Sequence, residues 1–300
     1  MPYLLLTLAA CFWGGNYVVG HLLVRLIDPV VLSSARWILT AILLVALYHR
    51  QINNQWVAMR RGFHIITMLA LFGQVLFPLT LYIGLQYTSS LNAAIYLSTT
   101  PALVLMINKM IFKEKISAKN VTGVIISSFG VVWLILQGDL WHFNTLKQLN
   151  RGDLWTMGSA ASWAVYCAFL RIKPRDVGGN AFVAISATIG AVVLAPVLFF
   201  SLAKNGMSEL TEFNHSNLAI GLLYLIIFPS WLAYLLWNKG IQVIGATRGE
   251  VFSHIIPLSG GLFSVLFLNA PLHFYHLVSM FLIICGIALC SGKSTNKTLR

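Results

Sequence analysis

An all-α integral membrane protein is the fold this sequence predicts, with ten transmembrane helices as two inverted five-helix repeats and both termini inside. Composition, run length and an internal echo carry that expectation. Hydrophobic residues make up 58% of the chain, charged residues 9%, and mean hydropathy is +0.80, whereas soluble domains carry roughly 25% charge. Successive apolar runs of about 20 residues, separated by short polar breaks, match the thickness of a hydrocarbon core. The stretch LYIGLQYTSSLNAAIYLSTTP at 81–101 returns as WNKGIQVIGATRGEVFSHIIP at 237–257, with Gly84 and Gly240, Gln86 and Gln242, and Pro101 and Pro257 at an offset of 156. Ala10 and Trp13 echo Ala160 and Trp163 at an offset of 150, with Tyr17 and Tyr166 nearby. The difference between the offsets implies a short insertion within a duplicated chain.

Helix 1 is expected over Tyr3 to Leu23. Leu8-Ala9-Ala10-Cys11 resembles a lipoprotein cleavage box, but no positive charge precedes it and the apolar run continues, so a spanning helix is expected there and not a cleaved signal. Asp28-Pro29 opens helix 2, which reaches about Tyr48 and carries Arg36. A basic loop from His49 to Gly62 precedes helix 3, Phe63 to Leu85, and helix 4 follows over Leu91 to Phe112. After the basic turn Lys113 to Lys119, helix 5 spans Val121 to Leu136, with a small-residue face of Gly123, Ser127 and Gly130 suited to close packing. The longest polar interruption, Gln137 to Asn150, is the natural boundary between halves. Helices 6 to 10 are expected over Asp153 to Leu170, Ala181 to Leu202, Leu218 to Trp237, Glu250 to Asn269 and Phe274 to Cys290. The chain thus divides into a first repeat (1–140), a connecting loop outside the cytoplasm (141–150), a second repeat (151–292) and a cytoplasmic tail (293–300).

Basic residues set the orientation. With the N-terminus inside, the loops after helices 2, 4, 6 and 8 and the tail, together with Lys109 at the end of helix 4, hold 15 of the 20 Lys and Arg residues, the excess that cytoplasmic loops carry. The formal charge of +12 is therefore a topology signal and does not point to nucleic acid. Five helices per half make the second copy enter from the opposite face, the inverted arrangement that in secondary transporters puts the substrate site at the repeat interface.

The run Phe12-Trp13-Gly14-Gly15-Asn16, Arg36 in helix 2, Pro101 in helix 4, Glu114 in FKEKIS and Gly130 in helix 5 come in an order and spacing that resemble the drug/metabolite transporter superfamily, specifically its EamA-type ten-helix exporters. Trp163, Pro257 and Gly286 fit the second half, while Ala270 departs from the acidic position matching Glu114. The resemblance implies a secondary transporter that exports small organic metabolites, amino acids or related compounds, across the bacterial inner membrane without a cofactor. The same fold also serves multidrug exporters.

Trp13, Asn16, Tyr17 and Gly20 share one side of helix 1, and Ser159, Trp163 and Tyr166 one side of helix 6. Such stripes at mid-depth should face a substrate cavity, because lipid satisfies none of their hydrogen-bonding groups. Gln74 in helix 3 and Tyr96 and Thr99 in helix 4 extend this expected wall. Glu250 and His254, four apart, should share a face of helix 9, with Glu250 near Arg248. His254 is a candidate substrate contact, Glu250 and His254 are candidate coupling groups with a proton as the ion, and Pro101 and Pro257 are candidate gating positions. Arg36 is expected to be a structural anchor, pairing with carbonyls or reaching outward past Asp28. Pro78, Pro101, Pro196, Pro229 and Pro257 should interrupt helices at mid-span. Cys11, Cys167, Cys285 and Cys290 read as packing residues, and no metal or catalytic motif and no nucleotide-binding domain is present. A membrane-embedded enzyme or lipid-handling protein is the competing class; it would need clustered acids, His or Arg at one membrane surface.

Overall fold

A computed structural model describes residues 1–88, 93, 96–139, 150–205, 216–268 and 273–291. Helices are the only regular structure among them. We label the long ones α1 (Pro2–Leu23), α2 (Pro29–Asn54), α3 (Phe63–Leu85), α4 (Thr100–Met110), α5 (Ala118–Ile135), α6 (Arg151–Phe169), α7 (Gly179–Asn205), α8 (Leu218–Ile244), α9 (Ile255–Leu268) and α10 (Phe274–Ser291). Seven of these, all but α4, α6 and α9, contain a stretch long and apolar enough to cross a membrane. The tail 293–300, Ala270, the side chain of Tyr17 and all of the connecting loop but Asn150 lie outside the described residues.

Local chemistry sets the helix starts. Asp28 caps α2 by accepting from Val30 N at 2.8 Å, and Pro29 takes the first helical position, where its missing N–H costs nothing. At the start of α6, Asn150 Oδ1 accepts from Gly152 N at 2.7 Å and Asp153 Oδ2 accepts from Asn150 N at 2.9 Å, a reciprocal capping box. The second oxygen of Asp153 accepts from Thr88 Oγ1 at 2.5 Å, which ties the end of α3 to the start of α6.

Two expectations about boundaries are corrected. The segment expected as a basic loop after Tyr48 is helical: α2 continues to Asn54, and a short helix, Trp56–Arg61, follows. Glu250 to His254 form a 3₁₀ turn ahead of α9 instead of the first turn of an α-helix. With three residues per turn, positions four apart point about 120° apart, so Glu250 and His254 do not share a face.

Packing is reciprocal between the halves. α1 lies against α8 and α9, and α6 lies against α3 and α4; α2 pairs with α7, and α5 with α10. The small-residue face of α5 does what its composition predicts. A Cβ at Gly123 would stand 2.7 Å from Gly286 O, so the two glycines let the backbones of α5 and α10 touch.

α3 and α8 are each distorted at mid-length by a π-helical segment, Leu71–Leu76 and Ile226–Leu232. Pro78 follows the first and Pro229 lies inside the second, and a proline leaves the carbonyl four residues before it without its N–H. Pro101 and Pro257, expected in mid-helix, instead stand in the first turns of α4 and α9 just after irregular backbone. Pro196 does lie inside α7.

Candidate functional site

Backbone carbonyls in and beside the two π segments accept side-chain donors at the centre of the molecule. Leu225 O, four residues before Pro229, accepts from Ser230 Oγ at 2.6 Å, and Pro229 O accepts from the Trp13 indole at 3.0 Å. In α3, Phe72 O accepts from Ser162 Oγ and Phe77 O from Ser159 Oγ, both at 2.8 Å, while Tyr234 donates to Gly73 O. Buried carbonyls in a membrane protein have no water to turn to, so side chains of α1, α6 and α8 serve them.

Two of those donors, Trp13 and Tyr234, belong to an aromatic cluster. Trp13 meets Trp163 edge-to-face with ring centroids 4.9 Å apart, and Trp237 and Tyr234 lie 5.1 and 5.7 Å from Trp13. Tyr166 stacks on Trp163 at 5.0 Å, and Trp37 reaches the far side of Tyr234 at 5.5 Å. Trp13 and Trp163, each expected to face a substrate cavity, are in direct contact with each other, and both are buried. Pairs of this kind contribute about 0.5–1.5 kcal/mol each beyond the area they bury.

Two polar nodes flank the cluster. In one, Arg36 Nε donates to Ser230 Oγ at 2.5 Å, and Arg36 Nη1 donates to Tyr82 OH at 2.7 Å and Asn16 Oδ1 at 3.1 Å. Tyr82 OH donates to the same Asn16 oxygen at 3.1 Å. This corrects the reading of Arg36: its partners are side chains from three other helices, and at 3% exposure it does not reach outward. In the other node Tyr166 OH donates to Asn238 Oδ1 at 2.7 Å. Asn238 Nδ2 and both amide atoms of the neighbouring Gln74 are buried there without hydrogen-bond partners among the described residues, and the Ser186 hydroxyl of α7 is likewise buried and unpartnered.

The nodes are counterparts. Asn16 and Arg36 correspond to Tyr166 and Ser186 at the offset of 150, and Gln74 and Tyr82 to Ser230 and Asn238 at the offset of 156. The same offsets, known from the glycines and tryptophans, could have flagged Tyr82, Ser230 and Asn238, which composition and motif reading missed. Tyr234 and Trp237 carried no signal beyond being aromatic in an apolar helix.

Each residue of the Trp13-Gly14-Gly15-Asn16 run has a contact that accounts for it. Trp13 serves Pro229 O, and a Cβ at Gly14 would stand 2.9 Å from Ile256 O, so glycine there admits α9. Gly15 admits the ring of Tyr224, whose hydroxyl donates to Phe12 O at 2.9 Å. Asn16 completes the Arg36 node.

Residues 1–136 and 150–292 match the EamA-like transporter family. The chain belongs to that family. As a member it is a multi-pass membrane transporter, with a small molecule as substrate and the bilayer as its surroundings. Over 297 residues it is 26% identical to a Bacillus subtilis (strain 168) protein described as the uncharacterized transporter YyaM, covering 97% of this chain and 93% of that protein. An Archaeoglobus fulgidus protein described as an uncharacterized transporter is 26% identical over 300 residues, with 97% of each chain covered. One solved structure, titled only as the crystal structure of a protein, superposes with a TM-score of 0.73 at 17% identity over 97% of both chains, a likeness of fold.

The remaining expected site residues of the transporter divide. Glu250 is 1% exposed; its Oε1 accepts from the Trp163 indole at 3.1 Å and its Oε2 has no partner, so it joins the cluster and does not pair with Arg248. His254 Nε2 donates to Ser98 O at 2.9 Å, because a carbonyl can only accept, which leaves Nδ1 buried and unpartnered. Tyr96 and Thr99 stand apart: Thr99 is exposed and its hydroxyl is spent on Tyr96 O at 2.6 Å. Away from the cluster, Asn108 Nδ2 donates to Thr247 Oγ1 at 2.8 Å, Thr247 to Glu114 Oε1 at 2.6 Å, and Arg171 pairs with Glu114 Oε2. That chain joins α4, the turn after α8 and the end of α6.

Proposed function

We propose that the protein is a secondary transporter that carries amino acids or related small metabolites outward across the bacterial inner membrane, by alternating access between two inverted five-helix halves. The observation that carries this reading is the meeting of Trp13 and Trp163 between two π-distorted helices, one from each half. The backbone hydrogen-bond pattern changes there to that of a π-helix, and polar groups converge beside it near mid-length of the two helices, the kind of place where secondary transporters hold their substrate. The reciprocal packing of α1 and α6 suits an exchange in which each half in turn plays the part of the other.

On this reading the N- and C-termini are cytoplasmic, and the Asn108–Thr247–Glu114–Arg171 chain closes the cytoplasmic end while the aromatic cluster closes the centre. Trp13, Asn16, Gln74, Ser159, Trp163 and Tyr166 line or support the pathway, and Tyr17 completes the stripe of α1. Glu250 and His254, each with one unpartnered buried atom, are the groups able to respond to a proton. Pro101 and Pro257, at the restart of α4 and α9, are where those helices would swing.

Proteoliposomes loaded with radiolabelled amino acids test the reading directly. Counterflow of at least one amino acid that is lost in Trp13→Ala and Trp163→Ala protein of normal abundance is expected. Absence of counterflow across the full amino-acid set would remove the substrate class. His254→Ala should lower transport at normal protein abundance; wild-type transport in that variant would return His254 to helix packing.

A further inference from the structure

Arg36 is a guanidinium, charged at every physiological pH, held in the centre of a membrane protein among neutral groups. No carboxylate among the described residues lies within ion-pair distance of it. Its three hydrogen bonds go to a hydroxyl, a phenol and an amide oxygen, and they use only Nε and Nη1. The two N–H groups of Nη2 have no acceptor among the described residues. A cation so placed is costly unless a counter-charge arrives, and an intramembrane ionisable group without one is a functional site by default.

The duplication supplies a control for the alternative, that the charge is there to hold the helices together. The counterpart of Arg36 is Ser186, and the residues of the counterpart node, Tyr166, Asn238 and Gln74, carry no charge. The packing of the fold therefore does not require a cation at this place. The Trp37 ring, 5.3 Å from the guanidinium carbon, and Tyr234 beyond it supply an apolar wall next to the charge.

We propose that Arg36 is the anchor for the anionic headgroup of the solute, a carboxylate, taken by the free Nη2 side of the guanidinium while Ser230, Tyr82 and Asn16 hold the fork in orientation. The assignment rests on the transporter reading above and narrows its substrate class. A carboxylate matches the planar donor fork and neutralises the charge. No acid stands beside Arg36 to receive an ammonium, so the amino group of an amino acid is not what this node reads. Lipid phosphate shares the same chemistry, but Arg36 lies about 10 Å along α2 from its first residue, deeper than a headgroup sits.

Intrinsic tryptophan fluorescence of the purified full chain, with Trp37 beside the site, follows binding without requiring transport. The probes are L-phenylalanine and L-leucine, their amides and N-acetyl forms, and acetate, phenylpropionate and succinate, in phosphatidylcholine nanodiscs. A saturable response to the carboxylates is expected, retained by the N-acetyl forms and weakened at least tenfold in the amides. Arg36→Gln should abolish it and Arg36→Lys weaken it; should Arg36→Gln fail to fold, Ser230→Ala and Tyr82→Phe, which keep the charge but loosen the fork, should each weaken it severalfold. Equal binding of acid and amide, an unchanged response in Arg36→Gln, or no response to any carboxylate overturns the assignment. Loss of the response only when phosphatidylglycerol is added gives the site to a lipid headgroup and overturns it as well. Carboxylate binding without counterflow would sink the transport reading and leave the anion site standing, whereas counterflow of the amides as fast as the acids would do the reverse.

Discussion

Single side chains in this protein are held by what the backbone lacks. The Trp163 indole donates to Glu250 Oε1 at 3.1 Å, and the side chains of Cys167 and Ser253 lie beside the same buried carboxyl. Trp163→Phe keeps most of the ring packing and removes the donor. It should destabilise the protein by about 1–3 kcal/mol, the cost of leaving a buried acceptor unmade, read as a lower midpoint of thermal unfolding in detergent. Glu250→Gln in the same background should restore part of the loss, because a neutral amide is cheaper to leave unpaired than a carboxylate; no recovery would mean that the indole packs and does not bond. Trp13 invites the parallel experiment with a different result. Its acceptor is the Pro229 carbonyl, which no substitution of a side chain can neutralise, so Trp13→Phe should have no such rescue.

Among the helices, α5 and α10 are joined by a close backbone contact at paired glycines. A Cβ at Gly286 would stand 2.5 Å from Gly123 O, and one at Gly123 2.7 Å from Gly286 O. Gly123→Leu must therefore push the helices apart, and a loss of about 1–3 kcal/mol is expected for overpacking, with Gly123→Ala milder. Gly261, on α9, has open space where its Cβ would go, and Gly261→Ala should leave the unfolding midpoint within error of wild type. If both glycines behave alike, the close approach of α5 and α10 is not what holds them. The π segments behave differently from these tight contacts: their carbonyls are served by side chains of other helices, so their geometry is a property of the assembled bundle and not of α3 or α8 alone.

At the scale of the whole molecule, a chain of side-chain bonds runs from Asn108 through Thr247 and Glu114 to Arg171, the contact proposed to close one end. The Glu114–Arg171 pair is about one-third exposed, with side-chain exposures of 33% and 30%, so water screens it and its share of stability is small, about 0–1 kcal/mol. Its influence on an open–closed equilibrium is of the same size, and a shift of that order changes the open fraction severalfold. Arg171→Ala should leave the unfolding midpoint nearly unchanged while raising the rate at which a cysteine placed at the buried Ala246 reacts with a small maleimide. An unchanged rate would mean that the pair takes no part in closing that end.

Much of this was legible in the one-dimensional pattern. Composition and run length determined the all-α membrane class, because the bilayer acts on each apolar run separately. The order of small motifs determined the family, and the two offsets already pair Asn16 with Tyr166 and Arg36 with Ser186 before any coordinate is known. Trp13 and Trp163 were legible as counterparts for the same reason, whereas their direct contact was not. What only the tertiary structure decided is who meets whom across the bundle. Arg36 looked like an anchor for its own helix and proved to be bonded to Ser230, 194 residues away; Glu250 looked like the mate of Arg248 and proved to be that of Trp163. Hydrophobicity and periodicity are set by neighbours in the chain. The partners of a buried polar atom are set by which helices pack together, and by the carbonyls that two prolines and two π segments leave exposed inside the bundle.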